Sequence, residues 1–226
     1  MPGASASFNL LDLTRDDSYL YGARFGYNQI YRTSLSDGTV TTIAGPSDAD
    51  RFDGVRIGPD GRLYAVDSSD GDIFAYDLST STWSTFLANS LAGDASQMEF
   101  GNDGRVFLSR TISGQARIYS YTLNVPGNYS FGLDDSSATL IGAFGSYGAA
   151  TGIRMGPDGR LYANAFNAGE VWRSDVGITD MGSSSYVSGL SSPGSIYFAA
   201  IPEPAAVALL APVLLGLLWI SRKRSE

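Results

Sequence analysis

Gly54-Val-Arg-Ile-Gly-Pro-Asp-Gly-Arg-Leu-Tyr-Ala65 recurs almost verbatim as Gly152-Ile-Arg-Met-Gly-Pro-Asp-Gly-Arg-Leu-Tyr-Ala163. In both, a short run with alternating apolar residues breaks at Pro-Asp-Gly, the chemistry of a tight turn, and a second run begins at Arg-Leu-Tyr. A weaker copy is Gln97-Met-Glu-Phe-Gly-Asn-Asp-Gly-Arg-Val-Phe-Leu108, and a degenerate one is Asp17-Ser-Tyr-Leu-Tyr21. Aligned at the turn glycine, the copies fall at Ser18, Gly61, Gly104 and Gly159, at intervals of 43, 43 and 55 residues.

A third strand-like run follows each clear turn, at Asp72-Ile-Phe-Ala-Tyr-Asp-Leu78, Ala116-Arg-Ile-Tyr-Ser-Tyr-Thr-Leu123 and Gly169-Glu-Val-Trp-Arg173. A fourth is Thr82-Trp-Ser-Thr-Phe-Leu87. Four strands in ~43 residues make one blade of a β-propeller. A sandwich or barrel also has short strands at this spacing, but does not require near-identical repeats. The expected class is therefore all-β, with about four four-stranded blades over residues 7–200. Gly194-Ser-Ile-Tyr-Phe-Ala199 has the pattern of a fifth first strand, so either four blades close or the chain is part of a larger propeller. Residues 124–150, rich in Gly, Ser and Asn, account for the long interval as an extended outer hairpin or surface loop. The Pro-Asp-Gly-x-Leu-Tyr signature loosely resembles that of the SMP-30 and NHL-type propellers. The resemblance implies the fold and, as in some SMP-30-like proteins, the alternative of a metal-dependent hydrolase or lactonase.

The last 26 residues follow a different logic. Pro202-Glu203-Pro204 is followed by Ala205 to Ile220, a run without a charge, and then by Arg222-Lys223-Arg224. As a helix the run is ~24 Å long, short against a ~30 Å hydrocarbon core but sufficient if Trp219 and the basic residues reach the interface. Pro212 is tolerated in such a helix, and the three cations hold the C-terminus in the cytoplasm. The order Pro-Glu-Pro, apolar helix, basic cluster resembles the PEP-CTERM sorting signal of Gram-negative bacteria over residues 201–226. That resemblance implies an exosortase as partner, transient residence in the inner membrane, and release to the cell surface or an exopolysaccharide matrix.

At the other end, Ala4-Ser-Ala6 has the small-x-small form of a signal-peptidase site. Residues 1–6 are expected to be either the remnant of a signal peptide or a disordered start. Cutting at Pro202 leaves twelve of the 15 basic residues, all Arg, and 21 of the 23 acidic ones, an excess of nine negative charges. Such a balance argues against nucleic acid as a partner. The chain has neither Cys nor His, so disulfides, Ser-His and Cys-His nucleophiles and His-metal sites are excluded.

Three sets of side chains are candidates for a site. Asp67, Asp70 and Asp72 cluster carboxylates as a Ca²⁺ loop does, but lack a closing Glu and lie between adjacent strands, so a polar hairpin is the favoured reading. No other cofactor is expected. Asp60, Asp103 and Asp158 precede the turn glycine and cap their own backbone. Arg56, Glu99 and Arg154 share one repeat position on the innermost strand. They form either an anion site in the central channel or, as favoured, charges paired between blades. The aromatics Tyr64, Tyr76, Phe107, Tyr121, Tyr162 and Trp172 read as packing between blades. No convergent catalytic set is visible, so the favoured ectodomain is a non-enzymatic binding or scaffolding propeller.

Overall fold

A computed structural model describes residues 10–24, 26–91, 93–144, 150–165, 168–182, 185–191, 196 and 198. The chain divides into two units, Met1–Ile196 and Tyr197–Glu226. The sorting motif, the apolar run and the basic tail, like residues 1–6, lie outside the described residues. Among the described residues no helix is long and apolar enough to cross a membrane.

Among the described residues fifteen strands form four sheets, each from consecutive antiparallel strands. Blade 1 is β1 (Leu10–Arg15), β2 (Tyr19–Arg24), β3 (Gln29–Ser34) and β4 (Val40–Ala44). Blade 2 is β5 (Phe52–Ile57), β6 (Leu63–Asp67), β7 (Ile73–Asp77) and β8 (Thr82–Leu87). Blade 3 is β9 (Asp94–Phe100), β10 (Val106–Ile112), β11 (Gln115–Val125) and β12 (Asn128–Phe144). Among the described residues blade 4 has three strands, β13 (Ala150–Met155), β14 (Leu161–Ala165) and β15 (Glu170–Arg173). The near-identical segments have one register: Arg56 opposes Tyr64 and Arg154 opposes Tyr162. This is a four-blade propeller arrangement.

Two expectations are refined. Residues 124–150 form a hairpin rather than a loop through residue 144, since β11 and β12 continue past the length of the other blades and turn at Pro126-Gly127. Blade 4 has no fourth strand among the described residues; one bridge, Val171 to Val187, lies where it would run. The local sequence there is Gly- and Ser-rich and poor in the β-branched and aromatic residues that favour a strand.

Each turn is built the same way. Gly61, Gly104 and Gly159 have φ of +78°, +82° and +72°, which a side chain disfavours. The preceding Asp accepts the N–H two residues on, Arg62 from Asp60, Arg105 from Asp103 and Arg160 from Asp158, at 3.1–3.2 Å. Tyr64 and Tyr162 hydroxyls donate to the same carboxylates at 2.9 Å, and Tyr21 repeats the contact with Asp16 at 2.8 Å.

Between neighbouring blades lie apolar cores. Blades 1 and 2 enclose Tyr21, Ile30, Phe52, Val55 and Leu63; blades 2 and 3 enclose Tyr64, Ile73, Met98, Leu108 and Tyr121; blades 3 and 4 enclose Phe107, Ile118, Phe144, Ile153 and Leu161. All five residues of β6 and of β14 are buried, as expected for strands covered on both faces. Tyr64 meets Phe86 and Phe100 edge-on, with centroids 4.7 and 5.0 Å away, and Trp172 meets Phe144 at 4.9 Å. Such pairs contribute about 0.5–1.5 kcal/mol each beyond their buried area. The inner strands β1, β5, β9 and β13 are thereby set side by side in chain order.

Candidate functional site

The repeat position predicted to carry charge lies on these inner strands, and the structure brings its three occupants together. Arg56 on β5, Glu99 on β9 and Arg154 on β13 meet around Glu99 Oε2, which is 3.4 Å from Arg56 Nε and 3.5 Å from Arg154 Nη1. Glu99 Oε1 is engaged separately, accepting the N–H of Phe100 at 3.1 Å. One oxygen therefore faces two guanidinium groups at distances longer than a good charge-assisted hydrogen bond.

The fourth member is Asp12 on β1. Its Oδ2 accepts from Arg56 Nη1 at 2.5 Å and its Oδ1 from Arg154 Nη2 at 3.3 Å. Backbone N–H groups of Leu13 and Val55 donate to the same carboxylate at 2.9 and 3.0 Å. Four donors thus converge on a side chain with no exposed surface. Arg56 also donates to the carbonyls of Val55 and, at 3.3 Å, of Ile153, touching all four inner strands. Its Nε has no hydrogen-bond partner among the described residues.

The cluster holds two cations and two anions, one from each blade. Solvent reaches only one side of it: side-chain exposure is 15% for Glu99 and 14% for Arg154, against 6% for Arg56 and none for Asp12. Burial raises the Glu99 carboxyl above its ordinary 4.5, and the attraction of Arg56 and the Phe100 N–H offsets this only in part.

Asp12 is not legible in the repeat because the blade 1 turn is one residue shorter. Ile57 pairs with Leu63 across five intervening residues, whereas Arg15 pairs with Leu20 across four. Alignment on Ser18 therefore places Leu13 at the charged position, while the sheet register places Thr14 there and sets Asp12 one pleat further along, opposite Ala23. Its counterpart in blade 2 is Gly54, where a Cβ would lie 2.6 Å from the Ser96 carbonyl. The usable signal is Asp16: matched to Asp60 it sets Asp12 level with Arg56 in sequence, two residues from where the sheet register places that position.

The candidate Ca²⁺ loop has its carboxylates committed to the chain. Asp67 accepts from the Ser69 N–H and hydroxyl and from the Asp50 N–H; Asp70 accepts from the Asp72 N–H; Asp72 accepts from the Asn89 N–H. Among the described residues no group of three acidic side chains is placed to hold a metal ion. A cation does serve this loop, but it is Arg110, which no repeat position or motif in the sequence marks. Fully buried, its Nη2 donates to the carbonyls of Asp70, Leu91 and Gly93 at 3.3, 2.5 and 2.7 Å. Gly71 leaves the space, since a Cβ there would lie 2.5 Å from Arg110 Nη1. The aromatics of the repeats lie in or against the inter-blade cores, as Tyr64, Phe107 and Trp172 illustrate.

No protein-family model matches the chain, and no curated protein matches it. Solved structures do. Virginiamycin B lyase from Staphylococcus aureus, determined as a catalytically inactive variant with quinupristin, superposes with a TM-score of 0.56 and 14% identity, over 78% of this chain and 55% of that one. A gluconolactonase from Xanthomonas campestris gives 0.62 and 13%, over 80% and 62%, and a streptogramin B lyase 0.54 and 15%, over 84% and 72%. The shared feature is the β-propeller fold. The chain spans about half the length of the virginiamycin B lyase it matches. These neighbours correct the expectation of a non-enzymatic propeller: the same fold carries lyases and a lactonase. At 13–15% identity the likeness extends to the fold and to no residue's role.

Proposed function

We propose that the chain is an exported surface or extracellular-matrix protein, sorted through a PEP-CTERM signal, whose propeller binds its ligand at the axial cluster. The observation that carries the sorting reading is the order of three elements: Pro202-Glu203-Pro204, the charge-free run Ala205 to Ile220, and Arg222-Lys223-Arg224. Each has a physical task. The prolines keep the segment before the run extended, where an exosortase active site can receive it. The apolar run holds the chain in the inner membrane, and the cations fix its direction. An acidic ectodomain without Cys suits presentation in a hydrated exopolysaccharide matrix.

The axial cluster supports the binding half because it gathers four charged groups at a partly solvent-reached place. A metal-dependent hydrolase or lactonase, the alternative raised by the resemblance, would need a divalent cation held by oxygen donors. The described residues at the axis do not fit one: Asp12 and Glu99 each face two guanidinium groups. The test of the sorting reading is fractionation of cells carrying an exosortase, with an epitope before Pro202 and the mass of the released form. Release of a chain cut near Pro202 supports it, and full-length protein retained in the inner membrane refutes it.

A further inference from the structure

We infer that the axial cluster is a carboxylate-binding site, in which Glu99 stands in for an acidic ligand such as a uronic acid. The inference rests on the axis being the ligand-facing part of the propeller. Three observations lead to it. The first is the difference between the two anions: Asp12 is fixed by four donors, whereas Glu99 offers one oxygen to two guanidinium groups at 3.4 and 3.5 Å. The second is Arg56, which is 5% exposed and whose Nε, among the described residues, is without a hydrogen-bond partner on the side facing Glu99. A buried guanidinium N–H that reaches its carboxylate only at 3.4 Å is weakly satisfied, and a partner able to approach more closely would satisfy it better. The third is access, since Glu99 and Arg154 form the side of the cluster that solvent reaches.

Charge defines the ligand. With Glu99 moved aside or protonated, two guanidinium groups face Asp12 alone, and one positive charge is left over. A free carboxylate brings two oxygens instead of one, so it meets Arg56 and Arg154 together in the forked geometry that guanidinium groups favour. A divalent cation meets the opposite situation, repelled by both arginines. A carboxylate on a sugar ring also suits a chain proposed to work in a polysaccharide matrix.

The experiment uses the full chain in detergent, with glucuronate and acetate as probes, glucose and CaCl₂ as controls, and binding followed by calorimetry and by the guanidinium Nε resonance of Arg56. Wild type is expected to bind glucuronate and acetate but not glucose, with that resonance shifting on titration. Glu99→Ala, which empties the place, is expected to tighten acetate binding by about tenfold or more, a gain of about 1.4 kcal/mol. Arg154→Met in the same background should abolish it. Should Glu99→Ala not fold, Glu99→Gln removes the charge at equal volume and should also tighten binding. Acetate affinity equal in wild type and the folded Glu99 variant overturns the inference, as does binding of Ca²⁺ that the variant loses. Neither result touches the sorting reading, which cell fractionation decides independently.

Discussion

Asp12 is the residue with most to lose at the axis, because it is fully buried and serves both arginines. Truncating it to Ala leaves a buried guanidinium uncompensated and is expected to lower stability by about 3–5 kcal/mol in urea melts. Glu99 should behave differently. Its contacts are long and burial already raises its carboxyl above 4.5, so Gln, which resembles the protonated acid, is expected to change stability by under about 1 kcal/mol at neutral pH. The sign with pH follows. A raised acid binds more protons in the folded state, so its contribution is fully present below about 4.5 and is lost as pH rises through the folded value. The stability of wild type minus that of Glu99→Gln should therefore fall as pH rises from about 4.5; a difference that grows would mean the arginines hold Glu99 ionised. Of the four axial residues, Arg56, Glu99 and Arg154 are visible in the repeat. Asp12 is not, since a turn shortened by one residue changes which side chain faces inward while leaving the apolar pattern intact.

The strand-turn-strand unit is the most legible element, because Pro-Asp-Gly sets its turn and the Asp-to-Tyr hydrogen bond its register. At Gly61 and Gly159 an added Cβ would meet only open space, so replacing either by Ala isolates the cost of a positive φ. About 1–2 kcal/mol is expected for each, additive in the double variant because they lie in different blades. Gly54→Ala should cost more than either, since its Cβ meets backbone of the next blade. Equal denaturant midpoints for all three would show that inter-blade approach at Gly54 is slack. For the long β11–β12 segment the sequence leaves hairpin and loop both open. Its Gly and Ser content reads as loop, yet Leu133 reaches the core between blades 2 and 3 and Gly132 lies against the Phe86 carbonyl. Tertiary packing there decides what local propensity does not.

For the whole molecule, blade number and sorting are the matters on which sequence and structure contribute unequally. The repeat specifies blades but not how a ring ends, because closure depends on contacts between the first and last units, and the residues from 201 onward are read from sequence alone. The sorting reading predicts a separation of two variants in cells with an exosortase, expressed behind a cleavable signal peptide. Glu203→Ala should remain inserted and accumulate at full length in the inner membrane. Replacing Arg222, Lys223 and Arg224 by Ser should weaken retention before processing, so that unprocessed chain appears outside. Identical distributions for the two variants would leave the tail no sorting role beyond anchorage.

The carbonyl collar around Arg110 has a consequence for how its junction responds to the medium. A bound ion exchanges with its surroundings, so a rim held by one inherits the fluctuations of the medium. A guanidinium tethered by its own strand does not leave. The junction of blades 2 and 3 thus carries its own counter-charge for the Asp70, Leu91 and Gly93 carbonyls. A chelator that strips free calcium is therefore expected to leave the Arg110 contacts in place.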